Sequence, residues 1–341
     1  MLNIKQINLN DKLDWSGLIE NSSTASFFQT KEWLQLWVKH FSSKGRSASG
    51  RGGEAIIFGV YDDGKLISIA PFEITENTIN FLGVNPVAGG ELVSDFGDII
   101  AKNGREKEVW EAILFQYSPG RSPSGHLPGV AERLLEGEYR IELNFIRENS
   151  PSLKILQDLG GKAESVDVAP YMDLPNTWEE YLSILNRHDR HEIRRKMRKA
   201  DKEGVIKVCD EINTQNINDF FRLMIASNEN KRKFLSGEMK NFFSEVIEML
   251  GHKQLLTLCF LRYENVNIAS ILLMYQKNEV LLYNSGFDPK YSFLSPGLIL
   301  NAYAIRGAIE EGKDRFDFLR GGEKYKYDLG GVKRNLYKIS F

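Results

Sequence analysis

What this 341-residue sequence has little of is informative. It holds only two cysteines, Cys209 and Cys259. They lie far apart, with no Cys or His nearby at metal-ligand spacing, which argues against both a disulfide framework and a structural zinc site. Such cysteine use fits a reducing cytoplasm. The five histidines form no His-x-x-x-His pair and no His-Glu pair of metalloenzyme type, since His191-Glu192 has no second histidine four residues on, so no metal is assigned. A Gly-x-Ser-x-Gly elbow, a Walker loop and a dinucleotide fingerprint are also missing, which discourages hydrolase, nucleotide-kinase and oxidoreductase readings. The N-terminus has no apolar signal core, and apolar runs such as Ile268 to Tyr275 are strand-sized, too short to span a bilayer. Net charge is −2, so no whole-molecule field draws the chain to DNA or anionic lipid, and any electrostatic function is local.

What is present is a globular balance of 42% hydrophobic and 26% charged residues, at a length that suits two domains. Thr30 is placed to cap a helix whose Trp33, Leu34, Trp37, Val38 and Phe41 recur at helical spacing. Ser42 to Gly53 reads as a loop. Strand-like runs follow at Ala55 to Tyr61, Leu66 to Glu73 and Thr78 to Leu82, joined by Asp-Asp-Gly and Glu-Asn-Thr turns. A helix is expected over Lys107 to Tyr117, a Pro/Gly/Ser loop over Ser118 to Gly129 and a strand over Tyr139 to Phe145. The same order returns in the second half: strands Gln254 to Arg262, Val266 to Tyr275 and Glu279 to Gly286, a helix Pro296 to Glu311 and a strand Arg315 to Leu319. This recurrence of pattern suggests duplication, with expected domains 1–165 and 166–341. Between the meanders lie helical patterns at Trp178 to Leu185, Asp189 to Glu203, Ile217 to Asn228 and Ser236 to Leu250.

Three segments could carry chemistry. In Ser295-Pro296-Gly297, Ser295 reads as N-cap and Pro296 as the first helical residue, while Gly297 leaves backbone N–H groups open to an anion. The same tripeptide also starts ordinary helices. From Arg187 to Lys199 there are five arginines and two lysines. Arg187, Arg190, Arg194 and Arg198 share a helical face, which suits phosphates or a solvated charged surface. The third segment, Asp317 to Gly330, opens from a strand end into a glycine turn rich in ionisable groups. There Arg320, Glu323, Tyr325 and Lys326 could supply a proton acceptor, a donor to a leaving group and oxyanion stabilisation; a polar exit loop is the plainer alternative.

Taken in order, several pieces resemble the GNAT-like acyltransferases associated with cellulose and exopolysaccharide biosynthesis, relatives of the Fem-type aminoacyltransferases of peptidoglycan bridges. They are Phe28-Gln29 with Trp33 and Trp37, Ile69 to Phe72, Ser94-Asp95-Phe96, Trp178 to Leu182, Arg194-Arg195-Lys196, Gly286 to Pro289, Ser295 to Gly297, and Asp317-Phe318 through Tyr325-Lys326. The resemblance implies an α/β (α+β) chain of two tandem GNAT-like domains, each a mixed twisted sheet flanked by helices, with a groove between splayed strands of the second. It implies transfer of an acyl group from acetyl-CoA or another acyl-CoA to an amine or hydroxyl of a small-molecule or lipid-linked sugar acceptor entering between the domains. Lys326 matches the late lysine of the Fem-type relatives implicated at the oxyanion, beside Tyr325, Glu323 and Arg320. Donor binding falls to Ser295, Gly297, Arg190 and Arg194, with Tyr283 and Asp288 at the end of the preceding strand, so Arg190→Ala is expected to raise the donor KM. The Gln/Arg-x-x-Gly-x-Gly/Ala pyrophosphate loop of GNAT enzymes is absent. An aminoacyl-tRNA donor is therefore the alternative, and a non-catalytic sugar-phosphate-binding scaffold is a third reading. Peripheral association with envelope-synthesis machinery is compatible with a chain that lacks a membrane span.

Overall fold

In the computed structural model, residues 2–42, 53–87, 92–116, 140–209, 211–235 and 237–341 are described. Most of Ser42 to Gly53, and all of Ser118 to Gly129, lie outside them. The chain divides into two units, Met1–Asp167 with Arg334–Phe341, and Val168–Lys333.

The first unit is built on a sheet ordered β1-β2-β3-β4-β6-β14-β7, with β5 paired to β3. Its strands are β1 (Asn3–Ile7), β2 (Glu54–Asp62), β3 (Lys65–Thr75), β4 (Thr78–Phe81), β5 (Ile100–Ala101), β6 (Arg140–Arg147), β7 (Lys162–Val168) and β14 (Asn335–Ser340). The β2–β3 turn places both Asp63 and Gly64 at positive φ, the backbone that a tight hairpin demands. β2, β3 and β4 form an antiparallel meander, and β6 then pairs parallel to β4. The helices are α1 (Trp15–Glu20), α2 (Lys31–Phe41), α3 (Glu106–Gln116) and α4 (Pro151–Asp158). Thr30 caps α2 as expected, its side chain accepting from the Trp33 N–H, and Trp33, Leu34, Trp37 and Phe41 are buried while Val38 is half-buried.

Within this unit the separated sequence motifs meet. Trp33 Nε1 donates to Ser94 Oγ at 2.9 Å, and the Phe28 and Phe96 rings lie 5.8 Å apart. Arg147 and Arg334 both stand over the Phe96 ring, at 5.4 and 4.9 Å. Arg334–Phe341 join this unit although the sequence reading leaves them in the second domain. Leu336 and Ile339 are fully buried where β14 pairs antiparallel to β6, and that burial outweighs chain proximity.

The second unit is a six-stranded sheet ordered β8-β13-β12-β11-β10-β9. Its strands are β8 (Tyr171–Asp173), β9 (Ile206–Val208), β10 (Leu256–Tyr263), β11 (Val266–Gln276), β12 (Glu279–Phe287) and β13 (Arg315–Asp317). The helices are α5 (Trp178–Ile184), α6 (Arg187–Lys202), α7 (Thr214–Ser227), α8 (Glu229–Phe234), α9 (Gly237–His252), α10 (Pro296–Glu310) and α11 (Lys324–Asp328). Here β10, β11 and β12 make the antiparallel meander and β13 pairs parallel to β12, so the order of the first unit recurs. One core cluster is formed by side chains of the sheet together with α5, α6 and α10, and α7 and α9 bury further apolar side chains such as Phe220, Met224, Phe242 and Ile247.

One expectation about this unit is corrected. Cys209 and Cys259 are joined in a disulfide. β9 runs antiparallel to β10 with Val208 opposite Phe260, which brings the next residue, Cys209, opposite Cys259. Fifty residues of separation hide that pairing from a linear reading.

Candidate active site

β12 and β13 pair over only three residues each, ending at Leu281 opposite Asp317. β13 ends at that point, while β12 continues to Phe287. The register between β11 and β12 shifts after Leu272, leaving Tyr283 as an extra residue on β12; a bulge of this kind bends a strand away from its neighbour. Because α10 connects these parallel strands, its N-terminus and the loop after β13 both lie at the C-terminal end of the pair, the usual position for a ligand in an α/β sheet.

The loop after β13 is wound around Lys326. Its ammonium, 3% exposed, donates to the carbonyls of Leu319 (3.1 Å), Arg320 (2.7 Å) and Gly321 (3.0 Å), and contacts Glu323 Oε2 at 2.9 Å. To aim three successive carbonyls at one nitrogen, the backbone places Leu319 at φ 58° and Gly321 at φ 109°. The buried Asp317 carboxylate accepts from the Leu319 N–H at 2.8 Å and holds that left-handed residue. An ammonium has three protons to give, and these four acceptors use them. The direct oxyanion contact expected of Lys326 is therefore not available in this arrangement; its cation holds the loop instead.

The remaining expected catalytic groups divide. Part burial pushes the Glu323 carboxyl up, but the Lys326 ammonium against it outweighs this and holds it below the usual carboxylate range. Burial, with the Glu323 charge, pushes the Tyr325 phenol well above its ordinary value. Arg320 contributes its carbonyl to the Lys326 cage.

Sequence reasoning missed Lys231 on α8, whose ammonium donates to the Ser285 carbonyl on the open part of β12. Burial pushes it down to about 8, against the pull of the Glu323 charge and with the repulsion of Lys326. The signal in the sequence is faint, a lysine within a short basic stretch whose neighbours Arg232 and Lys233 are exposed.

Donor-binding expectations fare unevenly. Ser295 stands at the N-cap place of α10, but at φ 54° and ψ 50° with no side-chain cap bond. The reason is local: a 3-10 turn, Pro289–Leu294, runs straight into the helix, so Ser295 closes one and opens the other, with its N–H bonded to the Ser292 carbonyl. Gly297 needs no special backbone angle, and a Cβ there would meet only the Phe287 ring at 3.4 Å, an ordinary contact. Packing therefore does not require glycine at this helix start. Asp288 uses its carboxylate to accept from the Lys290 N–H, and Tyr283 packs its ring 5.8 Å from that of Phe243.

Arg190 and Arg194 lie elsewhere in the unit, in an open groove of about 980 Å³ lined by α5, α6 and Arg306 of α10. Arg187 and Arg198 line it too, and Arg194 also pairs with Glu179 at 2.5 Å. Neither Ser295, Gly297 nor any residue of the Lys326 loop lines this groove, so the two expected phosphate-binding elements are not brought into one cavity. Among the described residues no cluster of His, Cys, Asp and Glu could hold a metal ion, and no helix is long and apolar enough to cross a membrane.

Comparison with known proteins agrees with this architecture. Residues 187–327 match the family model of the acetyltransferase (GNAT) domain. FemX superimposes with a TM-score of 0.66 at 12% identity, covering 99% of this chain and 96% of its own. L-PGS from Bacillus licheniformis gives 0.56 at 12% identity, covering 96% and 91%. A conserved protein of unknown function from Bacteroides thetaiotaomicron gives 0.55 at 12% identity, covering 100% and 99%. No curated protein matches by sequence. The chain is thus of mixed α/β class, and its second unit contains the segment 187–327 that matches the acetyltransferase (GNAT) domain model.

Proposed function

We propose that this protein transfers an acyl group from acyl-CoA, acetyl-CoA in the first place, to an amine or hydroxyl of an envelope-polysaccharide, amino-sugar or glycolipid precursor. The observation that carries the reading is that β12 runs on past the end of β13 beside the Lys326-centred loop, with the start of α10 at the same end of the sheet. An extended acyl–pantetheine arm would lie along β12 beyond the end of β13, where that edge of the strand has no strand partner. The open N–H groups at Gly297 would face its pyrophosphate, and a glycine that packing does not demand supports that role. Lys326 acts through the loop it holds, setting Arg320, Glu323 and Tyr325 around the thioester, rather than by touching the oxyanion. The acceptor class rests on the family resemblance.

A second reading, with aminoacyl-tRNA as donor, is favoured by the separate arginine groove. The row from Arg187 to Arg198 spans about 16 Å of helix, long enough to follow several successive phosphates. Calorimetry separates the two. Acetyl-CoA binding at micromolar Kd, weakened at least ~10-fold by Gly297→Val, supports the CoA reading. If acetyl-CoA does not bind, while tRNA binds with a steep salt dependence that Arg190→Ala reduces, the donor is aminoacyl-tRNA. Binding without consumption of any acyl donor would leave only the scaffold reading.

A further inference from the structure

We propose that Lys231 is the proton acceptor for the attacking nucleophile at the edge of β12 beyond the end of β13; this rests on the acyl-transfer reading above. Gly286 lies where α7 crosses β12. A Cβ there would fall 2.4 Å from the Met224 backbone nitrogen, so the absence of a side chain lets α7 lie directly on β12. Asn228 then caps the next short helix, and the chain carries Lys231 over the strand. The Asp288 N–H bonds across to the Ile268 carbonyl on β11, so by strand alternation Asn284 and Gly286 also face β11. Ser285 consequently turns its N–H and carbonyl to the opposite edge, the one on which β13 pairs up to Leu281. Side chains take up both groups: Asn284 Oδ1 accepts the Ser285 N–H at 2.9 Å, and Lys231 donates to the carbonyl. The Lys231 nitrogen is thereby fixed where an acyl arm along this edge would present its carbonyl carbon.

Its surroundings make it the group suited to the task. Glu323 and Lys326 act on it from the loop after β13. On its own helix Glu229 pairs with Arg232, on α7 Asp219 pairs with Arg222, and on β12 Glu279 pairs with Arg315. Burial lowers Lys231 to about 8, so a useful fraction is neutral near physiological pH. By contrast, Glu323 is held in its weakly basic form by Lys326, and Tyr325 stays protonated. In the step, the nitrogen or oxygen of the acceptor bonds to the acyl carbon and its proton passes to the lone pair of neutral Lys231 Nζ. The bond from the acyl carbon to the donor sulfur or oxygen breaks, and the departing thiolate or alkoxide takes that proton back, which returns Lys231 to its neutral form.

The test has two arms on the full chain. In the first, trace acetylation by acetic anhydride across pH, read by peptide mass spectrometry, follows Lys231 without any turnover. A titration near 8 that moves lower in Glu323→Gln is expected, and a titration near that of a free lysine overturns the proposal whatever the donor. In the second, release of CoA from acetyl-CoA with D-glucosamine as probe acceptor is followed from pH 6 to 10. Lys231→Arg keeps a cation able to donate to Ser285 but cannot act as a base. It should bind acetyl-CoA as the wild type does, lose roughly 10²-fold or more in kcat and lose the rise of rate with pH. Lys231→Arg turning over like the wild type, with the same pH profile, overturns the proposal. No acetyl-CoA binding by the wild type would instead count against the CoA reading and leave the first arm to decide on Lys231.

Discussion

Glu323 and Lys326 face each other across 2.9 Å at the start of α11, and the same ammonium gathers the carbonyls of residues 319 to 321. The lysine is almost wholly buried, whereas the Glu323 side chain keeps 58% of its surface exposed. The pair thus joins a fixed interior cation to a carboxylate that solvent and ligands can reach, and the loop's shape depends on the cation.

Removal of that cation is the first prediction. Lys326→Met leaves three inward carbonyls without their donor, and should cost on the order of 3 kcal/mol of stability in urea unfolding together with most of the acyl transfer. Glu323→Gln, which keeps a hydrogen-bonding partner for the ammonium, should leave the loop folded at a much smaller stability cost. Equal stability of Lys326→Met and the wild type would show that the loop holds itself without the lysine.

Asp98 in the first unit gives a pH-dependent prediction. It is fully buried, accepts hydrogen bonds from Ser150 (2.5 Å) and Ser152 (2.6 Å), and burial raises it from 3.8 to about 6. The folded state therefore holds this proton more tightly than the unfolded chain, so the group's contribution to stability grows as pH falls from above 6 to below 4. Asp98→Asn cannot titrate there. The stability of wild type relative to Asp98→Asn should increase by about 2 kcal/mol between pH 7 and pH 4, measured by denaturant melts at each pH. A pH-independent difference would mean that Asp98 keeps its unfolded-state affinity for the proton.

The Cys209–Cys259 bridge supplies the third. It closes a loop of 50 residues that contains α7, α8 and α9. Reduction, or Cys209→Ser, should lower stability by up to about 4 kcal/mol through the freed entropy of the unfolded loop. Because β9 lies at the far edge of the sheet from β13, acetyl-CoA affinity should change little in Cys209→Ser under conditions where it remains folded.

Much of the architecture is legible in the linear chain, because strand alternation, helical spacing and turn chemistry are local. The two meanders, the Thr30-capped helix and the strand after each long helix are all written in short windows of residues. The clustering of Arg320, Glu323, Tyr325 and Lys326 is legible for the same reason, since these residues are near neighbours on one turn. Their roles are less so. A lysine beside a tyrosine looks like a free donor in sequence, and only the backbone wound to φ 58° at Leu319 shows its protons already taken.

The sequence alone determines the class of the fold, the repeated order of its elements and the gathering of Arg320, Glu323, Tyr325 and Lys326 on one turn, because those depend on contacts between residues a few positions apart. Tertiary structure decides what joins them. It pairs Cys209 with Cys259, returns the last strand to the first sheet and separates the arginine groove from the start of α10. It also brings Lys231 to Ser285 and Glu323. Each of these relations spans tens of residues and is set by which buried surfaces fit together, Gly286 under α7 being the clearest case, and no local pattern of side chains encodes that fit.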